Sequence, residues 1–191
     1  MNQRPSKKEE LFLQSSYDAF LDIFEEISKD SFWSKDPYYR LSRMRDAILI
    51  YSEILEYEPV GWFLDNLKII RPPLEAELSK EYILFVRNIL VHFPFYKSWD
   101  EIAFTKEMIN WSKPGKSIDN FLSRFAGEKE IKYRMWKEKS KTMLYLSINF
   151  PAEYKDDTVI RLNQFMPEKE GFLFIISLMY RVLMSQVEKI K

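Results

Sequence analysis

Cysteine is absent from this chain of 191 residues, and it contains only 4 glycines and one histidine. Without cysteine there is no disulfide, no thiolate nucleophile and no cysteine-based zinc site. A zinc site built around one histidine would need carboxylates as its other ligands, which is an uncommon set. The Gly-rich phosphate loops GxGxxG and GxxxxGK(S/T) are also missing. So few glycines disfavour β-sandwiches and barrels, which need many tight turns.

The chain has no excess of charge of either sign, because 29 lysines and arginines balance 29 aspartates and glutamates. We therefore expect no global electrostatic attraction to nucleic acid or to an anionic membrane. A phosphate-binding site would have to be local and made by a few arginines. Zero net charge also gives little repulsion between copies, which permits self-association.

Long apolar runs are missing too. No uninterrupted stretch of about 18 apolar residues occurs, and the first residues, MNQRPSKKEE, are polar. We expect a cytoplasmic protein without a signal peptide or a membrane contact. Hydrophobic residues at 46% and aromatics at 16% are enough to build a core, so we expect a single domain over residues 1–191.

The apolar pattern predicts a mainly α protein, an up-and-down bundle of about five helices. Pro59 and Gly61 would end the second helix, Pro94 the third and Gly127 the fifth. A capping box at Ser98–Glu101 predicts the start of the fourth, and SKPGKS at 112–117 predicts a loop. The predicted helices run approximately over 9–29, 39–57, 72–93, 98–111, 118–125 and, as a closing helix, 172–189.

A small β-hairpin is predicted late in the chain. Apolar and polar residues alternate through 131–135 and again through 144–150, which favours two strands with KEKSK at 137–141 as their tip. The alternative is a helix, because the charged segment WKEKSK is a good helix former. We expect this hairpin to be an insertion within residues 128–165.

The sole histidine, His92, follows Arg87 and Asn88 in an otherwise oily stretch, EYILFVRNILVHFPFYKSW. Asn88 and His92 are four residues apart and share one helical face. Arg87 lies about 140° round the helix from His92 and about 7.5 Å along its axis, a gap that a long side chain partly closes. Because most faces of this helix are apolar, we expect it to be central, and a buried guanidinium there needs a partner.

These three residue types suit phosphate chemistry. A position in the last helical turn should raise the pKa of His92 modestly and keep it near neutrality. Such an imidazole suits general acid–base catalysis, and Arg87 suits a developing phosphate anion. Cleavage of RNA by its own 2′-hydroxyl needs a base, an acid and a cation, and a two-fold dimer would supply two imidazoles. The plainer alternative is a helix-capping histidine, with Arg87 and Asn88 bonded to neighbouring loops.

The sequence RNILVH, from Arg87 to His92, resembles the R-x4-6-H motif of the HEPN superfamily, in the form where a polar residue follows the arginine. The resemblance implies a helical bundle that dimerises through the motif helix. It implies a metal-independent, cofactor-free endoribonuclease of toxin, phage-defence or CRISPR-associated type, regulated by an antitoxin or another protein. Arg87 and His92 would be the catalytic pair, with Asn88 orienting them. The alternative is a catalytically silent HEPN-like module that binds a partner.

One feature of the family is absent. Some HEPN toxins carry a tyrosine two residues after the histidine, as the target of nucleotide transfer by the antitoxin. Here that position is Pro94, and the nearest tyrosine is Tyr96. Regulation by that route is therefore not expected.

Two further segments have the composition of an RNA contact. FPFYKSW at 93–99 interleaves aromatics with a lysine and would stack on bases, although packing of its rings onto the bundle is the simpler expectation. KYRMWKEKSK at 132–141 is locally basic and would follow an RNA backbone, although lysines at a hairpin edge also serve to block aggregation.

Overall fold

A computed structural model of the protein describes residues 6–57, 73–127, 131–137 and 141–190. These residues are mainly helical with a late antiparallel hairpin, which confirms the predicted fold class. The helices are α1 (Lys7–Ile27), α2 (Pro37–Glu56), α3 (Pro73–His92), α4 (Lys106–Ile109), α5 (Lys113–Phe125), α6 (Leu162–Phe165) and α7 (Glu168–Ile190), with a 3-10 turn at Asp30–Ser34. The strands are β1 (Ala103–Phe104), β2 (Ile131–Lys137), β3 (Thr142–Ile148) and β4 (Ile160–Arg161).

The fold contains two compact units. The first comprises Met1–Lys80 with Ile175–Lys191, and the second comprises Glu81–Phe174. None of the helices in the described ranges is both long and apolar enough to cross a membrane.

Polar caps set the starts of the first two helices, earlier than their apolar stripes predicted. Ser6 and Glu9 form a capping box: the Ser6 hydroxyl accepts from the Glu9 amide at 3.4 Å, and the Glu9 carboxylate accepts from the Ser6 amide at 2.6 Å. The Asp36 carboxylate caps α2, where Pro37 occupies the first turn. The predicted end of the second helix at Pro59 and Gly61 lies outside the described residues.

The first unit contains a partly exposed ionic cluster centred on Glu26. The carboxylate of Glu26, on α1, accepts from Lys35 Nζ at 2.6 Å, from Tyr39 Oη at 2.7 Å and from Arg43 Nε at 2.9 Å. Partial burial raises the pKa of Glu26, but the three hydrogen bonds outweigh burial and lower that pKa to about 2. We call these four residues the Glu26 cluster; they join α1, the 3-10 turn and α2.

The core of the second unit is built largely from aromatic rings. Phe85 of α3 stacks on Phe121 of α5, with ring centroids 4.4 Å apart, and contacts Phe165 of α6 at 5.5 Å. Phe150 packs against Phe125 at 5.0 Å. Burial of rings of this size supplies a large hydrophobic stabilisation, and the tilted and stacked pairs add to it.

The helix predicted over 98–111 does not form. Ser98 Oγ does accept from the Glu101 amide at 3.2 Å, so the capping turn is made, but the chain then enters β1. β1 pairs antiparallel with β4, and Ile102 O accepts from the Leu162 amide at 3.1 Å. The tertiary pairing satisfies the backbone that a helix would otherwise have used. Only the short helix α4 remains of the predicted segment.

The loop predicted at SKPGKS is instead the first turn and a half of α5. Ser112 caps the helix by accepting from the Gly115 amide at 3.3 Å, and a proline is tolerated in a first turn. A Cβ on Gly115 would lie 1.4 Å from the carbonyl oxygen of Ile109, so the close approach of α4 and α5 requires glycine there. Gly127, with φ of +88°, follows the helix end as predicted.

The predicted late hairpin is confirmed. β2 and β3 pair antiparallel in a register that runs from Ile131 opposite Ile148 to Lys137 opposite Thr142. Leu146 and Ile148 are buried, which anchors one face of the hairpin in the core. Residues 138–140 at its tip lie outside the described residues. The alternative of a helix over WKEKSK is excluded for residues 131–137, since they form β2.

Candidate active site

The three motif residues stand at the carboxyl end of α3, on a helix that is firmly embedded. Five apolar residues near its carboxyl end are buried, as predicted for a central helix, whereas Leu84 is exposed; the buried residues are Tyr82, Phe85, Val86, Ile89 and Leu90. The helix ends at His92, and the following amide, of Phe93, still donates to Ile89 O at 3.0 Å. Pro94 then prevents continuation. The motif is therefore carried by a rigid element, which catalytic geometry requires.

The side chains of Arg87, Asn88 and His92 converge. Arg87 Nη1 donates to Asn88 Oδ1 at 3.0 Å and lies 3.5 Å from His92 Nε2. Asn88 is only 3% exposed, Arg87 is half-buried and His92 is exposed. The long arginine side chain thus spans the angular gap predicted from helix geometry. The buried amide of Asn88 positions the guanidinium from below, and the imidazole faces solvent beside it.

The positive charge of Arg87 is not neutralised within the described part of the chain. None of the carboxylates there forms an ion pair with Arg87 or with His92. The sequence correctly indicated that the guanidinium needs a partner, but its partners are an amide oxygen and an imidazole nitrogen. A half-buried cation with neutral partners attracts an anion from outside more strongly than one already paired.

The predicted rise of the His92 pKa was wrong. Burial lowers the pKa of His92 below the usual 6.5, and the positive charge of Arg87 lowers it further. Both effects disfavour the imidazolium, which is opposite to the effect expected from the helix end alone. The imidazole is therefore neutral at pH 7, and the Arg87 N–H meets an unprotonated Nε2 when His92 carries its proton on Nδ1.

The arrangement has the parts of a proton-transfer and anion-binding site. A neutral, exposed imidazole is able to accept a proton, and the adjacent guanidinium stabilises negative charge. Phosphate is the anion that matches the planar donor set of arginine best, since its oxygens accept two parallel N–H bonds. Asn88 is buried, and its Oδ1 accepts a hydrogen bond from the guanidinium.

The aromatic loop after the motif divides between core and surface. Trp99 is buried, with its Nε1 donating to Met166 O at 2.9 Å, and the Tyr96 hydroxyl donates to Ala103 O. These two rings follow the simpler expectation of packing onto the bundle. Phe95, at 61% exposed, does not. It remains on the surface three residues after His92, with its ring 6.2 Å from that of Phe93.

Across the described ranges, no three His, Asp or Glu side chains are grouped so as to hold a metal ion. Comparisons of the chain with protein-family models, with curated proteins and with solved structures each found no match.

Proposed function

We propose that the protein is an endoribonuclease of HEPN type that cleaves RNA without a metal ion, through Arg87 and His92. The observation that carries this proposal is the 3.5 Å approach of an unneutralised guanidinium to the neutral, exposed imidazole of His92. These are the two group types that 2′-hydroxyl attack on an RNA phosphate needs, and they stand on a buried helix that fixes their geometry.

The proposed reaction is an internal transfer at phosphorus. His92 removes the proton of the 2′-hydroxyl, and the O2′ atom attacks the adjacent phosphorus. Arg87 stabilises the negative charge that builds on the phosphoryl oxygens. The bond from phosphorus to O5′ then breaks, and a protonated imidazole supplies a proton to O5′. The products are one end with a 2′,3′-cyclic phosphate and one with a 5′-hydroxyl.

A homodimer through α3 would complete the site. One imidazole is either base or acid at a given moment, whereas two copies of His92 across a two-fold axis supply both. Leu84, on the solvent side of α3, is 43% exposed, which suits a contact between two such helices. The zero net charge of the chain gives little repulsion between copies.

The cellular role that fits is a cytoplasmic toxin or phage-defence nuclease, with RNA as substrate. Uncontrolled RNA cleavage harms the host, so an antitoxin or another regulatory protein would restrain it. The absence of a tyrosine at Pro94 favours restraint by binding over restraint by nucleotide transfer.

The test is to incubate end-labelled RNA with the purified protein in EDTA and to analyse the ends formed. We expect 2′,3′-cyclic phosphate products from the parent, and none from His92→Ala or Arg87→Ala, with the helical CD spectrum unchanged in both. Lys8→Ala, which removes an exposed cation of α1, serves as the control and should cleave normally. Full activity of His92→Ala would contradict the proposal.

The second candidate is a catalytically silent HEPN-like module that binds a protein partner. The exposed apolar side chains of Leu84 and Phe95 on either side of the motif favour it, since paired apolar side chains at a surface are typical of interfaces. In the same EDTA assay this module would yield no cyclic phosphate ends, and the Leu84→Asp variant would lose its partner or its dimer while the parent kept it.

A further inference from the structure

A groove of about 440 Å³ lies between α1 and α2 in the first unit, and we call it the α1–α2 groove. Its apolar lining comes from Ala19 and Ile23 of α1 and from Leu49 and Ile50 of α2. Ile23 is buried, whereas Ala19 is exposed and Leu49 is 36% exposed. The lining is therefore an apolar surface that a molecule from outside is able to reach, and its volume accommodates several side chains of that molecule.

The apolar lining continues along α1 towards its amino end. Phe12, Ala19 and Ile23 are spaced by seven and four residues, so they fall within about 40° of one another around the helix. Phe12 is 47% exposed and lies about 16 Å along the axis from Ile23. α1 packs on α7 with a different side, where Phe24 stacks on Tyr180 with ring centroids 4.1 Å apart. The stripe from Phe12 to Ile23 thus extends over three helical turns.

Acidic side chains border this apolar stripe. Asp22 of α1 and Asp46 of α2 both line the α1–α2 groove, and both are exposed. Asp46 lies 3.6 Å from Nη1 of Arg43, whose Nε donates to Glu26. None of the cations in the described part of the chain forms an ion pair with Asp22. With two aspartates against one arginine, the lining carries a net negative charge.

The helix that forms one wall of the groove is acidic over nearly its whole length. Residues 9–27 contain six carboxylates and no lysine or arginine, in a chain whose charges balance overall. The six are Glu9, Glu10, Asp18, Asp22, Glu25 and Glu26. Such a wall repels a nucleic acid and attracts a cationic partner. The charge therefore favours a basic occupant, and the apolar stripe favours one that has an apolar face.

We infer that the α1–α2 groove binds a basic amphipathic helix of a partner protein. Helices of this kind bind grooves through apolar side chains spaced three or four residues apart. Those side chains pack on the stripe from Phe12 to Ile23, and the lysines or arginines beside them pair with Asp22 and Asp46. The 16 Å stripe matches a bound helix of about 11 residues. This inference does not depend on the proposed ribonuclease function.

The test uses a fluorescein-labelled designed peptide of about two heptads, with leucine on one helical face and lysine on the other. Its binding to the full-length protein is measured by fluorescence anisotropy, and we expect saturable binding to the wild type. Ala19→Arg should weaken binding more than tenfold, because a long cation would cover the apolar stripe and repel the lysines. Asp22→Asn should weaken binding about threefold, as expected for the loss of one exposed ion pair.

Two matched variants and one matched peptide serve as controls. Gln14→Arg adds the same charge to α1 about 140° away from Ala19, and Glu25→Gln removes a carboxylate outside the groove lining. Both should bind the peptide as the wild type does. A peptide of the same composition in scrambled order should bind more than tenfold more weakly. All four variants change exposed side chains, so the CD spectrum and the urea midpoint should stay those of the wild type.

Three outcomes would overturn the inference. The first is a wild-type protein that shows no saturable binding of the amphipathic peptide. The second is equal binding of the scrambled peptide or by Ala19→Arg, which would mean that charge attracts the peptide without a docking site. The third is a wild-type dimer, seen by sedimentation, that Ala19→Arg dissociates and the peptide does not, which would make the occupant a second copy of this chain.

Discussion

The Glu26 cluster and the Arg87–Asn88–His92 site use the same kinds of side chain to opposite effect. Around Glu26, one carboxylate accepts hydrogen bonds from Lys35, Tyr39 and Arg43, so its negative charge is compensated by side chains of the first unit. Around Arg87, the partners are an amide oxygen and an imidazole nitrogen, and no carboxylate of the described chain joins them. The carboxylate of the first cluster is thus paired with cations, whereas the guanidinium of Arg87 has only neutral partners among the described residues.

Whether a charge is compensated by nearby side chains distinguishes a structural ion network from a candidate site better than the degree of burial does. Arg43 and Arg87 are both partly buried arginines on long helices. Charge balance distinguishes them, because an arginine that is already paired with a carboxylate attracts a phosphate only weakly. The three predictions that follow test this contrast, from the largest expected effect to the smallest.

The largest effect is on catalysis. Arg87→Ala should reduce kcat/KM for RNA cleavage about 10³-fold, since it removes the group that stabilises the phosphoryl charge, while the free energy of unfolding changes by about 1 kcal/mol at most. Arg43→Ala should do the reverse, leaving cleavage intact and lowering stability by about 1–2 kcal/mol as Glu26 loses a donor. Cleavage assays and urea unfolding of both variants decide it. If Arg87→Ala and Arg43→Ala lost the same amount of activity, the proposed difference between the two arginines would be wrong.

The second effect is on stability and its pH dependence. Because the pKa of Glu26 falls from 4.5 to about 2 on folding, the unfolded state binds more protons between these values. The stabilisation is therefore present above pH 4.5 and is lost as the pH falls towards 2. Glu26→Gln should lower the unfolding free energy at pH 7 by about 2 kcal/mol and remove this acid-sensitive part.

Urea unfolding at pH 7 and pH 3 measures both quantities. Glu25→Gln is the matched control, since that carboxylate is exposed on the same helix turn and should change neither value. If Glu26→Gln unfolds at the same urea concentration as Glu25→Gln, the cluster does not hold the first unit together.

The smallest effect is on the titration of His92, and it is the simplest to observe. Because the chain has one histidine, a single imidazole C2–H resonance reports its pKa by NMR. We expect a midpoint below 6.5 in the parent. Arg87→Gln should raise the midpoint, since it removes a positive charge that disfavours the imidazolium.

Arg43→Gln should leave this midpoint where it is. A midpoint above 6.5, or one that is the same in Arg87→Gln as in the parent, would mean that the side chains of Arg87 and His92 are not in contact in solution. The acid limb of the kcat/KM profile should follow the same direction, because the copy of His92 that acts as the base must be neutral.

Much of the fold was predictable because the signals are local. The apolar stripes of α1 and α2, the long oily run of α3 and its end before Pro94, and the period-two alternation of β2 and β3 each depend on neighbours within a few residues. The starts of α1 and α2 are also specified locally, by the capping box at Ser6 and by Asp36–Pro37, which precede the apolar stripes of the two helices.

The errors share one cause. Ser98–Glu101 forms the capping turn that its sequence predicts, but the backbone that follows pairs with β4 instead of continuing as a helix. β4 lies more than 50 residues further along the chain. Ser112–Ser117 has the composition of a loop, yet the approach of Ile109 to Gly115 turns it into a helix start. The pKa of His92 is lowered by burial and by Arg87, opposite to the direction predicted from its position at a helix end.

The sequence by itself determined the helical class, the hairpin and the placing of an arginine, an asparagine and a histidine on one helix end, because helix and strand periods are properties of neighbouring residues. Only the tertiary structure decided that Asn88 is buried beneath the guanidinium, that no described carboxylate approaches Arg87 and that Ala19 and Leu49 line one groove. These are facts about which distant side chains arrive at a place, and local spacing does not specify them.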